Sequence, residues 1–245
     1  MLILKSDGIS GILNEKENIA TIKNEEIHLP KNLVYEPGDS IKIKNQKFMV
    51  LNPDPFLFID VTGRNTQAIL PFDAAYIIYS TGMSSGMNVL ESGVGTGSMS
   101  YSVLSVIGDS GKLFSMDINS SNINTARKNV SRFINTNNWE TITGDVRSTP
   151  IVGMYSIAIL DMPDPWNAIS NIKKSIKPGG FIVTYSPNYN QAEKNVLAME
   201  DDFMVIETVE LIKRNILVRK DATRPDNNII GHTAFITIAA KKSPI

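Results

Sequence analysis

N-V-L-E-S-G-V-G-T-G-S, residues 88–98, is the stretch that decides the fold. A short apolar run ends at an acid, Glu91, and passes into a loop with glycine at three alternate positions, Gly93, Gly95 and Gly97. Glycine at such positions lets the backbone turn sharply and leaves room for a ligand pressed against it. The loop departs from the dinucleotide fingerprint, because the position three after Gly95 is Ser98, where G-x-G-x-x-G requires glycine. The acid that opens it favours a cationic or amine-bearing ligand over a pyrophosphate. Taken alone, the loop is equally compatible with an ordinary tight strand-to-helix turn.

On the C-terminal side, apolar strand patterns alternate with helical ones. KLFSMDI (112–118) precedes a helical pattern through Ala126 and Val130, and ETITGD (140–145) precedes YSIAILDM (155–162). A further helix and a turn at Pro178-Gly179-Gly180 lead into FIVTYS (181–186). Such alternation predicts a doubly wound, mostly parallel α/β sheet, since parallel strands need crossover connections. Residues 1 to about 60 read differently. Short alternating stretches such as Ile19–Ile22 and 40–50 (SIKIKNQKFMV) are separated by turn signals at 36–39 and 52–55, which predicts a small β module. The expected division is a module over 1–62 and a catalytic domain over 63–245.

With 245 residues and 42% hydrophobic composition the chain can bury a full core. It has no cysteine, so disulfide and thiolate chemistry are excluded, and its two histidines, His28 and His232, cannot make a histidine-rich metal site. No run approaches 18 apolar residues, and MLILKSDGIS is too short an apolar start for a signal peptide. A soluble, cytoplasmic protein without a resident metal is expected. The net charge of −1 argues against a chain that coats nucleic acid electrostatically.

Three more acids follow the strands. Asp117 ends the second, about 20 residues after the loop, where α/β nucleotide sites place a carboxylate on ribose hydroxyls. Asp145 closes the third, in TGDV, and Asp161 the fourth, in ILDMPDPW (159–166). Each alone reads as a helix cap or a solvated turn residue. Four successive strands that all finish in an acid define one ligand-binding edge, because open α/β sheets bind ligands at the carboxyl ends of their strands.

ESGVGTGS, Asp117, the Gly-Asp pair at 144–145 and the strand ending at Asp161 resemble the class I, Rossmann-like methyltransferases that use S-adenosylmethionine, with their seven-stranded sheet. The blocks RNTQAILPFDAAYII (64–78), LDMPDPW (160–166), YSPNYNQ (185–191) and GHTAF (231–235) are similar to the tRNA adenine-N1 methyltransferase family. The resemblance implies methyl transfer to the T-loop adenosine of tRNA, position 58, with 57 as a second candidate in archaeal members. It also implies a homotetramer.

Carried over position by position, the resemblance assigns cofactor contacts to Gln67, Glu91, Gly93, Gly95, Thr96, Gly97, Ser98, Asp117, Ile118, Asn122, Asp145, Val146 and Asp161. Asp161 matches the catalytic aspartate. The product, 1-methyladenosine, is a cation, and a carboxylate at the ring edge counters that charge as it develops. N1 carries a free lone pair, so no strong base is required. Pro163 and Pro165 stop the strand and stiffen the loop. Trp166 is expected to pack that loop, and Asp164, if not itself catalytic, to cap the helix near Pro165. Tyr185 matches a rim tyrosine that would hold the flipped adenine; as a core strand aromatic it would have no such role. His232 and Thr233 are expected to be structural.

Two departures stand out. Pro71-Phe72-Asp73 replaces the family's P-K-D, removing a candidate phosphate-contacting lysine, and Asn122 stands where a basic or histidine side chain is usual. Over 212–224, Lys213, Arg214, Arg219, Lys220 and Arg224 face one acid, Asp221, giving a local charge of +4 that suits tRNA phosphates or a protected strand edge. Two other readings remain. A protein-isoaspartate methyltransferase has a similar block before the glycine loop, but its carboxylate nucleophile would be repelled by Asp161. A non-catalytic RNA-binding subunit typically lacks both the glycine loop and the aspartate.

Overall fold

The structure is a computed structural model that describes residues 1–62 and 68–243. The first six strands, β1 (Leu2–Ser6), β2 (Ile9–Asn14), β3 (Ile19–Ile22), β4 (Glu25–His28), β5 (Ser40–Ile43) and β6 (Gln46–Leu51), form one antiparallel sheet of order β4-β3-β2-β1-β6-β5. Burial alternates along β3, β5 and β6, and the sheet builds a separate core from Leu4, Leu13, Ile22, Ile41, Phe48 and Val50. The stretch 40–50 is a hairpin and not one strand. Lys44 takes φ 54 and turns the chain between β5 and β6, just as Lys23 and Asn24, at φ 49 and 66, turn it between β3 and β4. Helix α1 (Pro55–Val61) couples this sheet to the rest. Asp54 caps it, Lys5 pairs with Asp60 at 2.6 Å, and Phe58 stacks on Tyr101 with ring centroids 4.6 Å apart.

From residue 71 the chain alternates. In order come α2 (Pro71–Ser80), β7 (Asn88–Ser92), α3 (Ser98–Ile107), β8 (Lys112–Asp117), α4 (Ser120–Val130), β9 (Trp139–Thr143) and β10 (Tyr155–Leu160). There follow α5 (Ile169–Ile172), β11 (Ile176–Ser186), α6 (Tyr189–Met199) and β12 (Phe203–Glu210), then β13 (Ile216–Leu217), β14 (Arg224–Pro225) and β15 (Phe235–Lys241). The large sheet has seven strands in the order β12-β15-β11-β10-β7-β8-β9, parallel except for β15, which runs antiparallel to both neighbours. The order reverses beside β7, which pairs with both β10 and β8 and so marks the switch point where such sheets bind ligands. Central strands are covered on both faces and therefore read as near-continuous apolar runs, as in YSIAIL of β10. One core layer, with Ile77, Val103, Leu104 and Val130, lies under α2, α3 and α4; the other, with Leu160, Ile169, Ile172 and Phe203, lies on the opposite face.

The turn expected at Pro178-Gly179-Gly180 is absorbed into β11. The strand runs through it with a register shift opposite Tyr155 and Ile157, Gly179 taking φ 75, so the prolyl-glycyl signal marks a bulge. β13 and β14 form a short hairpin at the tip of an arm between β12 and β15. Among the described residues no helix is long and apolar enough to cross a membrane.

Candidate active site

A cavity of about 740 Å³ opens at the carboxyl ends of β7, β8, β10 and β11. Gly93, Gly95, Asp117, Asn122, Asp161 and Tyr185 line it. Gly93 and Gly95 take φ +86 and +52, conformations that side-chain-bearing residues rarely adopt. Gly97, at φ +86, serves packing instead: a Cβ there would lie 3.0 Å from the Ala126 Cβ, so its absence lets α3 start against α4.

Asp117 is the hub of the floor. Its carboxylate accepts backbone N–H groups from Val94 at 2.9 Å, Gly95 at 3.4 Å and Asn119 at 2.8 Å, and the Asn122 amide reaches both oxygens at 3.2 Å. The loop after β7 is thus shaped on the acid that ends β8, and the amide at 122 orients that acid. Asp161 follows β10, its backbone N–H donating to the Ser92 carbonyl at 2.8 Å. Its half-buried carboxylate accepts no hydrogen bond among the described residues and is left to the cavity. Burial, then the negative charge of Asp117, pushes its pKa up to about 7.

Several sequence-predicted residues lie behind the wall. Glu91 is 1% exposed; its Oε2 accepts the hydroxyls of Ser100 at 2.7 Å and Ser115 at 2.5 Å, and Ser115 in turn accepts the Trp139 indole N–H at 2.8 Å. The acid that opens the glycine loop is therefore directed into the core, where burial raises its pKa to about 7 against the pull of the two hydroxyls. Thr96 and Ser98 are buried, the Thr96 carbonyl accepting from Asn129 and the Ser98 hydroxyl donating to the Ile69 carbonyl at 3.2 Å. Val146 is a core side chain whose carbonyl accepts from Asn171. Ile118, next to Asp117, is 71% exposed. Asp145 is held by Arg147 at 2.7 Å, which keeps its carboxyl below the usual range, and the same guanidinium reaches Asp164 at 2.8 Å. Asp164 occupies the N-cap position of the 3₁₀ turn Pro165–Asn167 but makes no cap to backbone; Arg147 and the Asn167 amide take its carboxylate instead. Lys194 lies over the Trp166 ring at 4.8 Å, within the loop packing. Gln67 lies outside the described residues.

Tyr185 faces the cavity from β11 and donates its hydroxyl to Asp73 at 2.8 Å. His232 and Thr233, three and two residues before β15, also line the cavity. The His232 ring is fixed between Glu210 at 2.5 Å and the Pro187 carbonyl at 2.8 Å, and the Glu210 contact raises its pKa. Sequence reasoning passed over Leu70, Met162 and Ile230 on the apolar wall, which carry no chemical signature, and Gln191, which ties α6 to the loop by donating to the Pro163 carbonyl at 3.0 Å. Arg147 and Asp73 were missed as well, because each looks like an ordinary surface or helix-start charge until its partners are seen.

A doubly wound seven-stranded sheet with its last strand antiparallel, a glycine loop at the switch point and an acid-lined cavity there define a class I methyltransferase. Two carboxylates beside an apolar wall suit a cationic ligand with an apolar body. Among the described residues no group of three or more His, Asp or Glu could hold a metal ion.

The chain belongs to the family described as the tRNA methyltransferase complex GCD14 subunit, whose sequence model matches residues 47–227. It is 30% identical over 231 residues to the tRNA (adenine(57)-N(1)/adenine(58)-N(1))-methyltransferase TrmI of Methanocaldococcus jannaschii, covering 82% of each chain. Among solved structures, it resembles the tRNA (m1A58) methyltransferase TrmI of Aquifex aeolicus at a TM-score of 0.78 and 22% identity, over 100% of this chain and 98% of that one. A Thermotoga maritima O-methyltransferase shares the fold at a TM-score of 0.86 and 22% identity, over 100% and 93% of the two chains. Fold alone therefore leaves the methyl acceptor open.

Proposed function

We propose that this protein transfers the methyl group of S-adenosylmethionine to N1 of an adenine in the T-loop of tRNA, giving 1-methyladenosine at position 58, with 57 as a second candidate. The observation that carries the reading is Asp161: a carboxylate at the end of β10, directed into the cavity and accepting no hydrogen bond among the described residues.

S-adenosylmethionine, when bound, supplies an activated methyl group on a sulfonium. Asp117, held by Val94, Gly95, Asn119 and Asn122, is the residue placed to accept ribose hydroxyls, and Gly93 and Gly95 let the backbone approach the ligand. Asp161 accepts a hydrogen bond from the exocyclic amine of the target base and counters the positive charge that grows on the ring, an interaction stronger in the transition state than in the ground state. A base in a folded T-loop must leave its stack to reach such a cavity. The arm between β12 and β15 leads to the cavity through Ile230, and its five exposed cations supply positive charge for the phosphates around the extruded base.

A cytoplasmic homotetramer that needs no metal belongs to the same reading, and the exposed Ile212, Ile216 and Val218 of the arm give a second copy apolar surface to cover. The test is incubation of transcribed tRNA with labelled S-adenosylmethionine, followed by mass spectrometry of the nucleosides. 1-Methyladenosine mapped to the T-loop is the expected product. Incorporation into isoaspartyl peptide with none into tRNA would replace this reading by carboxyl methylation.

A further inference from the structure

Asp73 stands in the first turn of α2, where a helix N-terminus favours a carboxylate, yet its exposure is 0%. One oxygen accepts the Tyr185 hydroxyl at 2.8 Å; the other, Oδ1, has no hydrogen-bond partner among the described residues. A buried carboxylate with one partner costs more than an apolar side chain of the same size. Burial raises its pKa, with the hydroxyls of Tyr185 and then Thr233, and the nearby His232, opposing. What the carboxylate does accomplish is to take the single proton of a phenol that lines the cavity together with Asp161.

A phenol has one O–H and otherwise only lone pairs. Once that O–H points at Asp73, the oxygen can offer the cavity nothing but an acceptor. Purines differ at this edge. Adenine carries an exocyclic amine, a donor, where hypoxanthine and guanine carry a carbonyl, an acceptor. We propose that Asp73 is a positioning residue: by holding the Tyr185 proton it fixes the phenol oxygen as an acceptor, and that acceptor selects a base bearing an exocyclic amine over one bearing a carbonyl. This rests on the adenine reading of the site. A site built to pair with one polar group rejects the analogue lacking it strongly, because its own buried group is then left unpaired.

The test compares wild type, Asp73→Ala, Tyr185→Phe and the double variant on transcribed tRNA, with kcat and KM measured separately and thermal unfolding as a fold control. Asp73→Ala is expected to lower kcat by about 10-fold, and the same change in the Tyr185→Phe background to add no more than about 2-fold, the signature of residues acting as one unit. Asp73→Asn keeps an acceptor for the phenol and should stay within about 3-fold of wild type. A T-loop RNA with inosine at the target should compete more weakly than the adenosine RNA against wild type, and that preference should shrink in Asp73→Ala. Losses that multiply independently, or an unchanged base preference, overturn the proposal.

A substrate-free arm separates this inference from the functional reading. Alkaline absorbance titration, taken as the difference between each protein and its Tyr185→Phe counterpart, should show Tyr185 ionising at lower pH in Asp73→Asn than in wild type. An unmoved titration overturns the positioning role. A moved titration in an enzyme that leaves tRNA unmethylated sinks the adenine reading and not the hydrogen bond.

Discussion

A Cβ placed on Gly93 would lie 1.8 Å from the carbonyl oxygen of Asp161. The glycine loop after β7 and the acid after β10 therefore meet backbone to backbone, with the Asp161 N–H donating to Ser92 at 2.8 Å on the same side. The loop that shapes the ligand cavity and the residue that would act on the base are one rigid unit, and a change in either displaces both.

Gly93→Ala tests that unit. The new methyl cannot fit, and φ +86 is strained for any side chain. The variant should lose about 3 kcal/mol of stability or more, seen as a lower urea midpoint, and its activity should fall even where it remains folded. Wild-type stability would show that the two strands move apart freely.

The pH profile follows from Asp161, which must be ionised to counter the charge on the base. With its pKa pushed up to about 7 by burial and by Asp117, kcat/KM for the cofactor should rise with pH to about 7 and level off above. A bound cationic cofactor favours the carboxylate, so the break in kcat should fall at lower pH than the break in kcat/KM. Asp161→Asn should abolish the acid limb. A limb that persists unchanged belongs to another group.

Glu91 gives a stability signature. Its folded pKa, about 7 against an ordinary 4.5, means the native state binds more protons than the unfolded chain between those values. Stability should therefore fall as pH rises from about 4.5 to about 7, by up to about 3 kcal/mol, and stay flat above. Asp161, raised over the same window, adds to that slope, so Glu91→Gln, neutral at every pH, should reduce the slope without abolishing it and should unfold at a higher temperature than wild type at pH 8. Equal slopes in the two proteins would contradict the buried-acid account.

The arm predicts salt dependence. If Arg219, Lys220 and Arg224 meet phosphates, replacing all three with Ala should weaken tRNA binding and reduce the slope of log K against log salt by about 2–3. kcat at saturating tRNA should hardly change. An unaltered slope assigns the arm's charge to solubility alone.

Much of this was legible in the sequence, for physical reasons. Buried parallel strands read as apolar runs, so β7, β8 and β10 announce themselves, and the acids that end them mark one edge of a sheet. The α/β class and the positions of Asp117 and Asp161 followed. Side-chain direction did not. Glu91 sits one residue before the end of β7, and the pleat turns it toward Ser100 and Ser115 instead of the cavity. Asp145 finds Arg147 two residues on, and no periodicity foretells which partner a flexible guanidinium will choose. The hairpin within 40–50 and the bulge at 178–180 were hidden because lysine at φ 54 and a prolyl-glycyl pair inside a strand both break local preference under tertiary control. Asp73 and Tyr185 lie 112 residues apart, and their contact exists only in the folded sheet.

The central claim is that the Asp161 carboxylate stabilises the base as it accepts the methyl group. Single-turnover transfer to tRNA by Asp161→Asn, with 1-methyladenosine quantified by mass spectrometry and cofactor affinity measured by calorimetry, tests it most directly. The rate should fall by about 10²–10³-fold while cofactor affinity and thermal stability stay near wild type. Transfer at close to the wild-type rate would contradict the account.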